Sequence, residues 1–370
     1  MSAPDTSWFR VENENEIQSP NLLVHRERVD ANLRKMIEIA GGTARLRPHV
    51  KTHKMPVLVE RQVALGIVKF KCATLREAEI CAASGATDVL LAYQPVGPNV
   101  GHFHELARAF PGAKFSTIAD DARIARELAN AEHPVELLVD LDLGQHRTGI
   151  ASDARAAELY RLIARTPGLR AGGLHAYDGH ITDSDPDARA AGCEAAFAPV
   201  AALRAQLLAE GLAVPRVVAG GSPTFPMHAR RGDVECSPGT CVFWDAGYGA
   251  KFPDLDFAPA ATVFTRVVSH PGEHRLCLDL GHKHLASEMP HPRVVFPQIP
   301  DATAIAHSEE HLVIETARAA EFPIGTALHG IPWHICPTVA RHPRALVVEG
   351  GRLTTAWAIN VVPRHHCPPC

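Results

Sequence analysis

The sequence predicts an α/β protein in two parts, a (β/α)8 TIM-type barrel over residues 20–243 and a mostly antiparallel β-domain over residues 244–370. Three observations predict it. Strand-like apolar runs alternate with helical periods as far as residue 219, giving eight strands separated by helices. No G-x-G-x-x-G follows an early strand, which favours a barrel over an open doubly wound sheet. From about residue 244 helical periods nearly vanish, and short β-rich runs separated by Gly and Pro take their place.

The elements follow in order. Ser19-Pro20 punctuates the chain before a short strand, Asn21 to His25. Val29, Leu33, Met36, Ile37 and Ala40 recur at helical spacing, and Gly41-Gly42 closes that helix. A basic strand over residues 45–54 comes next. A helix over Met55 to Leu65 leads to the strand Ile67 to Ala73, and a helix over Leu75 to Ser84 leads to the strand Asp88 to Tyr93. The alternation continues with a helix near His102 to Ala109, the strand Lys114 to Ile118, a helix over Ala122 to Ala131 and the strand Val135 to Leu143. A helix over Asp153 to Arg165, the strand Leu169 to Tyr177 and a long helix over Ala188 to Glu210 precede the last barrel strand, Arg216 to Ala219. The later β-rich runs are Ala261 to Ser269, Arg275 to Leu280, His311 to Glu315, Gly325 to Gly330, Arg344 to Val348 and Leu353 to Val361.

The basic strand is the most distinctive stretch. A two-residue period puts Arg45, Arg47, His49, Lys51 and His53 on one face and Leu46, Pro48, Val50 and Thr52 on the other. Positive charge in this chain comes mostly from Arg; of only eight lysines, Lys51 and Lys54 fall here. The apolar neighbours make the strand internal, and a basic internal face suits an anion or a carbonyl cofactor at the end of a parallel barrel.

Composition excludes several classes. With 46% hydrophobic and 21% charged residues over 370 positions, the chain can bury a large core and is not disordered. A formal charge of -4 provides no basic field for nucleic acid or an acidic membrane. The polar, acidic stretch Met1 to Pro20 has no apolar centre, and no later run is long enough to span a bilayer, so the expectation is a soluble cytoplasmic protein. Nine cysteines, an odd number scattered through apolar segments, suit a reducing compartment. The terminal Cys367-Pro-Pro-Cys370, preceded by His365 and His366, has the form of a metal or redox clip, although proline-rich chain ends more often carry no site.

Barrel chemistry gathers at strand C-terminal ends, where this sequence offers His49, Lys51 and His53; Asp140, Asp142 and Arg147; His175, Tyr177 and Asp178; and Gly220, Gly221, Ser222 and Thr224. The glycines permit a close backbone approach, and the loop stands where barrels cradle phosphate on backbone N–H groups. In the second domain His334 and Cys336 lie two apart, on one face if extended, and suit a soft divalent ion such as Zn2+. Asp279, Gly281, His282, Lys283 and the run Ser308 to His311 are less specific loop-end candidates.

The ordered set Arg47-Pro48-His49-Val50-Lys51-Thr52-His53-Lys54, Lys71-Cys72-Ala73-Thr74, Arg147-Thr148-Gly149, His175-Ala176-Tyr177, Gly220-Gly221-Ser222-Pro223-Thr224 and His334-x-Cys336 resembles the D-threonine aldolase and D-serine dehydratase group, pyridoxal phosphate enzymes of the alanine racemase fold. The resemblance runs from about residue 18 to residue 361. It implies that residues 1–19 join the β-domain, that the protein is a homodimer, and that it uses pyridoxal phosphate with a divalent metal, Zn2+ before Mn2+ or Mg2+. It further implies that Lys51 holds the cofactor as a Schiff base, with Arg147 near its phenolic oxygen, His175 and Tyr177 about its ring, and Gly220, Gly221, Ser222 and Thr224 at its phosphate. His334 and Cys336 match the metal ligands, and His53 and Tyr177 join Lys51 as catalytic candidates. Arg45 and Arg47 are expected to help Lys51 lose its proton. The implied activity is a lyase acting on 3-hydroxy-D-amino acids, cleaving D-threonine to glycine and an aldehyde. The His-x-Cys pair, in place of His-x-Asp, points to the alternative, dehydration of D-serine or 3-hydroxy-D-aspartate to an oxo acid and ammonia. A racemase or a non-catalytic cofactor carrier ranks below both.

Overall fold

The computed structural model describes residues 6–362. Cys367 and Cys370, with their histidines, lie outside the described residues. The described chain divides into two compact units, one of residues 36–239 with 360–362, the other of residues 6–35 with 240–359. Among the described residues no helix is long and apolar enough to cross a membrane.

The first unit is built on seven parallel strands in the order Lys69–Cys72, Asp88–Leu91, Lys114–Ala119, Val135–Asp142, Leu169–Tyr177, Val217–Ala219 and Val234–Cys236. A two-residue strand, Ile150–Ala151, pairs beside Val135–Asp142. Helices Leu75–Ala83, Pro98–Ala109, Ala122–Glu127, Ala154–Arg165, Pro186–Ala209 and Phe225–Ala229 connect successive strands. The basic segment joins the two edges of this sheet. The Arg47 N–H donates to Cys236 O and the Cys236 N–H to Arg45 O, while the Lys71 N–H donates to Pro48 O. Leu46 thus bridges Cys236 and His49 bridges Lys71, making an eighth member beside the seven strands and closing the ring. Pro48 has no N–H to extend the ladder, and the chain turns into a 3-10 helix at Val50–Thr52. The two-residue period therefore stops at His49, and Lys51 is aimed by a turn.

The count of eight holds, but its membership changes. Asn21–His25, expected in the barrel, pairs instead with Ala261–Gly272 and Arg344–Glu349 in the other unit, and the barrel place falls to Val234–Cys236. An apolar strand buried on both faces reads alike in either sheet, and a three-residue strand carries almost no pattern.

The barrel interior is filled by charge pairs, apolar contacts and hydrogen bonds in turn. Near the strand starts, the fully buried Arg47 gives two hydrogen bonds to Asp88, at 2.8 and 3.0 Å, and one to Glu235 at 2.7 Å. Two residues beyond Asp88, Leu90 packs with Ile118, Leu138 and Val218. Two beyond Leu138, Asp140 begins the polar group described below. Burial alone would raise the Asp88 and Glu235 carboxyls; Arg47 outweighs it and holds both below their ordinary values.

The second unit is a mostly antiparallel sheet in the order Thr303–His307, Leu312–Glu315, Arg275–Leu278, Ala261–Gly272, Asn21–His25, Arg344–Glu349 and Arg352–Ala358. Ala327–Pro332 also pairs with Ala261–Gly272. One core cluster joins Val11, Ile17, Leu23, Phe264 and Val348, which fixes N-terminal residues to this sheet.

Replacing Arg47 by Met leaves Asp88 without its counter-charge and Glu235 with Lys69 alone, with an expected loss of about 3–5 kcal/mol in urea unfolding at neutral pH. The pH sign follows from the depressed carboxyl values: in the wild type this stabilisation is complete above the ordinary 3.8 and 4.5, and is lost as pH falls through the folded values. An Arg47→Met protein as stable as wild type at pH 7 would refute the role of this cluster.

Candidate active site

The turn after His49 aims Lys51 into a group of cations around one aromatic ring. The Lys51 N–H donates to His49 Nδ1 at 3.3 Å, and the Lys51 amine stands 5.7 Å from the centre of the Tyr177 ring. The Arg147 guanidinium lies 5.1 Å and the Lys71 amine 5.3 Å from the same centre. Lys54, at positive φ, turns aside to pair with the buried Glu77. This leaves Lys51 as the lysine of the basic segment that faces Tyr177.

Two expected contributors go elsewhere. Arg47 is consumed by Asp88 and Glu235, and Arg45 donates to the carbonyls of Ala40, Ala229 and Arg231, so neither supplies the positive charge expected to act on Lys51. His53 accepts the Met55 N–H at 3.0 Å in the turn before helix Pro56–Ala64, and burial pushes its ring down to about 3. Its described hydrogen bond thus caps a turn, and the strand parity that linked it to Lys51 has already ended.

A buried chain crosses the barrel behind the ring. Asp140 Oδ1 lies 2.6 Å from His175 Nδ1, and His175 Nε2 lies 3.1 Å from the Lys71 amine. A carboxylate partner at Nδ1 keeps that nitrogen protonated and leaves Nε2 as the acceptor for Lys71. Burial pushes Lys71 down to about 7, helped by the charge on Lys51 and opposed by Asp140 and Asp178. Burial and Lys71 also lower His175, against the pull of Asp140. Sequence reasoning quoted Lys71 as part of a motif and gave it no role. Its signal was a lysine two residues after Lys69 in a strand that is otherwise apolar.

The glycine loop follows Val217–Ala219. Gly220 has φ +79°, and a Cβ there would stand 2.7 Å from His228 Cδ2; one at Gly221 would stand 3.1 Å from Tyr177 Cε2. The Gly221 N–H donates to Thr224 Oγ1, whose hydroxyl donates to Asp178 Oδ1 at 2.8 Å. Asp178 Oδ2 lies 2.8 Å from His228 Nε2, and Cys193 Sγ is 3.4 Å from that nitrogen. Ser222 Oγ accepts the Gly239 N–H at 3.2 Å. Asp178, Cys193 and His228 form the one His, Cys and carboxylate grouping close enough to hold a metal among the described residues. Without a metal, burial pushes the Cys193 thiol up to about 12, with Asp178 adding to the shift. The three side chains hydrogen-bond one another behind the loop, where they brace it and have the spacing of a candidate metal site.

In the second unit His334 and Cys336 do not lie in an extended run: His334 stands at the start of the helical turn Ile335–Val339. Their side chains interact all the same. His334 Nδ1 lies 2.6 Å from Glu288 Oε1, and Cys336 Sγ lies 3.7 Å from Thr240 Oγ1. Burial would lower His334, but Cys336, Glu288 and Asp245 together raise it to about 9. Asp245 accepts the N–H groups of Tyr248 and Ile335, and burial raises it to about 6. Imidazole and thiol are donors that suit a borderline-soft divalent ion, although among the described residues no carboxylate is gathered with them as closely as in the Asp178 group. Glu288 was not foreseen, being 46 residues from its partner.

A parallel barrel with a lysine, a tyrosine and a glycine loop at the strand ends, joined in sequence to an antiparallel domain, defines a protein of the alanine racemase fold. The family model for the alanine racemase N-terminal domain matches residues 24–246, and a serine dehydratase domain model matches residues 260–348. The D-threonine aldolase of Arthrobacter sp. is 33% identical over 93% of this chain and 92% of its own length. The D-threo-3-hydroxyaspartate dehydratase of Delftia sp. strain HT23 is 28% identical over 90% of this chain and 95% of its own. The crystal structure of D-threonine aldolase from Filomicrobium marinum superposes with a TM-score of 0.87 at 30% identity, covering 93% of this chain and 95% of that one. The chain belongs to the D-threonine aldolase family, as its ordered motifs led us to expect.

Gly220→Ala brings a side chain into positive φ and against His228. The strain is of order 1–3 kcal/mol, so if it is felt on binding the dissociation constant for added pyridoxal phosphate should rise about 5- to 150-fold. Absorbance titration of the purified apoprotein measures it; unchanged affinity would separate the loop from phosphate binding.

Proposed function

We propose that the protein is a pyridoxal phosphate- and divalent metal-dependent lyase of the D-threonine aldolase type, acting on 3-hydroxy-D-amino acids and releasing glycine with an aldehyde. The observation that carries this reading is the Lys51 amine facing the Tyr177 ring beside Arg147 and a glycine loop, in a chain of this family.

The residues fit the cofactor. Gly220 and Gly221 leave open the space that side chains would fill, and the basic side chains Lys51, Lys71 and Arg147 suit a group carrying phosphate and phenolate charge. Lys51 holds it covalently, Tyr177 and His175 contact its ring, Arg147 its phenolic oxygen, and Gly220, Gly221, Ser222 and Thr224 its phosphate. Thr224 has its own hydroxyl bound to Asp178, so its part is to hold the loop's shape. His334 and Cys336 hold the metal, with Zn2+ favoured by the thiol and Mn2+ or Mg2+ as alternatives. When bound, pyridoxal phosphate supplies an electron sink for charge at the substrate α-carbon and the metal a Lewis acid for its hydroxyl. We read the protein further as a cytoplasmic homodimer.

A specific residue favours a second reading. Cys336 donates more charge to a metal than the aspartate of a His-x-Asp pair, and the resemblance associates it with dehydration. The discriminating experiment supplies D-threonine with cofactor and metal and identifies the products. Glycine with acetaldehyde supports cleavage, whereas 2-oxobutanoate with ammonia alone transfers the assignment to dehydration.

Borohydride reduction should tether the cofactor to the peptide containing Lys51, and Lys51→Ala should abolish the tether. His334→Ala and Cys336→Ala should each lower metal content and turnover together while leaving cofactor content largely intact. Full activity after exhaustive chelation would make the pair structural.

A further inference from the structure

The lysine that holds the cofactor does not account for the second amine at the Tyr177 ring. We propose that Lys71, held against His175 and Asp140, is the proton carrier of this site; the inference rests on the cofactor-site reading above and extends it. The chain from Asp140 through His175 to Lys71 is continuous, at 2.6 and 3.1 Å, and its members are 5%, 4% and 2% exposed. It ends 5.3 Å from the centre of the ring that Lys51 also faces.

The surroundings decide the charge of that amine. Before Lys51 takes the cofactor, Lys51 and Arg147 face the Lys71 amine as cations, and Asp140 and Asp178 as carboxylates. His175 and His49 are the neighbouring imidazoles, and burial keeps His49 neutral. Burial, then Lys51, brings Lys71 to about 7, so raising the pH through neutrality converts ammonium into free amine. An amine poised there exchanges protons efficiently at neutral pH.

Aldol cleavage needs such a group. The O–H and Cα–Cβ bonds of the substrate break, and a C=O and a Cα–H bond form, so one proton travels from oxygen to carbon. Lys71 can accept a proton as a neutral amine and return it as ammonium, leaving no net change after turnover. His175, fixed by Asp140, keeps the amine pointed and accepts one of its hydrogens.

The test compares wild type, Lys71→Arg and Lys71→Met as holoproteins, following cofactor absorbance and, with D-threonine, kcat and KM across neutral pH. The wild-type absorbance should show a transition with pH as the Lys71 amine, brought down chiefly by burial, changes its charge. Both variants should lose the transition and about 100-fold or more in kcat, with KM changed less. Arginine keeps the charge and a donor for His175 but cannot release its proton, so a bracing role predicts rescue by Arg and a proton-carrying role predicts none. Lys71→Arg with wild-type transition and kcat would overturn the proposal, as would a wild-type spectrum flat across neutral pH. Should Lys71→Met fail to fold, the arginine variant decides. The absorbance measurement needs no substrate, so absence of lyase activity would count against the proposed function without deciding the role of Lys71.

Discussion

A closed ring of parallel strands shuts water out of its interior, and this constraint governs every charge the barrel contains. The desolvation of an unpaired ion is too costly to leave uncompensated, so each buried charge must find a partner or lose its charge. Arg47 meets the condition with two carboxylates, Asp88 and Glu235. Lys71 meets it differently, bonding a histidine and drifting toward its neutral form. The same barrel thus contains a permanently charged arginine in one place and a titratable lysine in another. What separates them is the supply of carboxylates within hydrogen-bond reach.

The glycine loop obeys a related constraint. Side chains at 220 and 221 would crowd His228 and Tyr177, and the Asp178, Thr224 and His228 bonds stand behind the loop. Thr224 is engaged with Asp178, the Gly220 N–H donates to Ala176 O and the Gly221 N–H to Thr224 Oγ1, so on the proposed reading an anion here depends on the cations nearby. Small residues stand at 220 and 221 while the polar side chains point into the brace.

How much of this could be read in the sequence depended on the range of the forces involved. Long helices such as Pro186–Ala209 and strands such as Val135–Asp142 showed their periods locally, so alternation and the two-part architecture were legible. Membership of the ring was not, because Val234–Cys236 is three residues long and Asn21–His25 is apolar enough for either sheet. The basic segment was recognisable as chemistry, yet parity misjudged Arg47 and His53: the partners of Arg47 lie 41 and 188 residues away, and the strand ends before His53. Lys51 was a candidate by motif as well as by parity, and the motif does not depend on the strand that ends at His49. Lys71 and Glu288 were invisible as site residues since their roles exist only through His175 and His334.

The two lysines at the Tyr177 ring show how backbone context divides labour between identical side chains. Lys51 sits on a 3-10 turn and is half-buried, which suits the covalent link proposed for its amine. Lys71 sits within a strand, its amide bonded to Pro48 and its amine to His175, so its reach is fixed. A covalent anchor must move between bonded and released states, whereas a proton carrier must hold one position while its charge changes. Exchanging the roles would require the turn to stiffen and the strand to yield, and a strand that closes the barrel cannot yield without opening the ring.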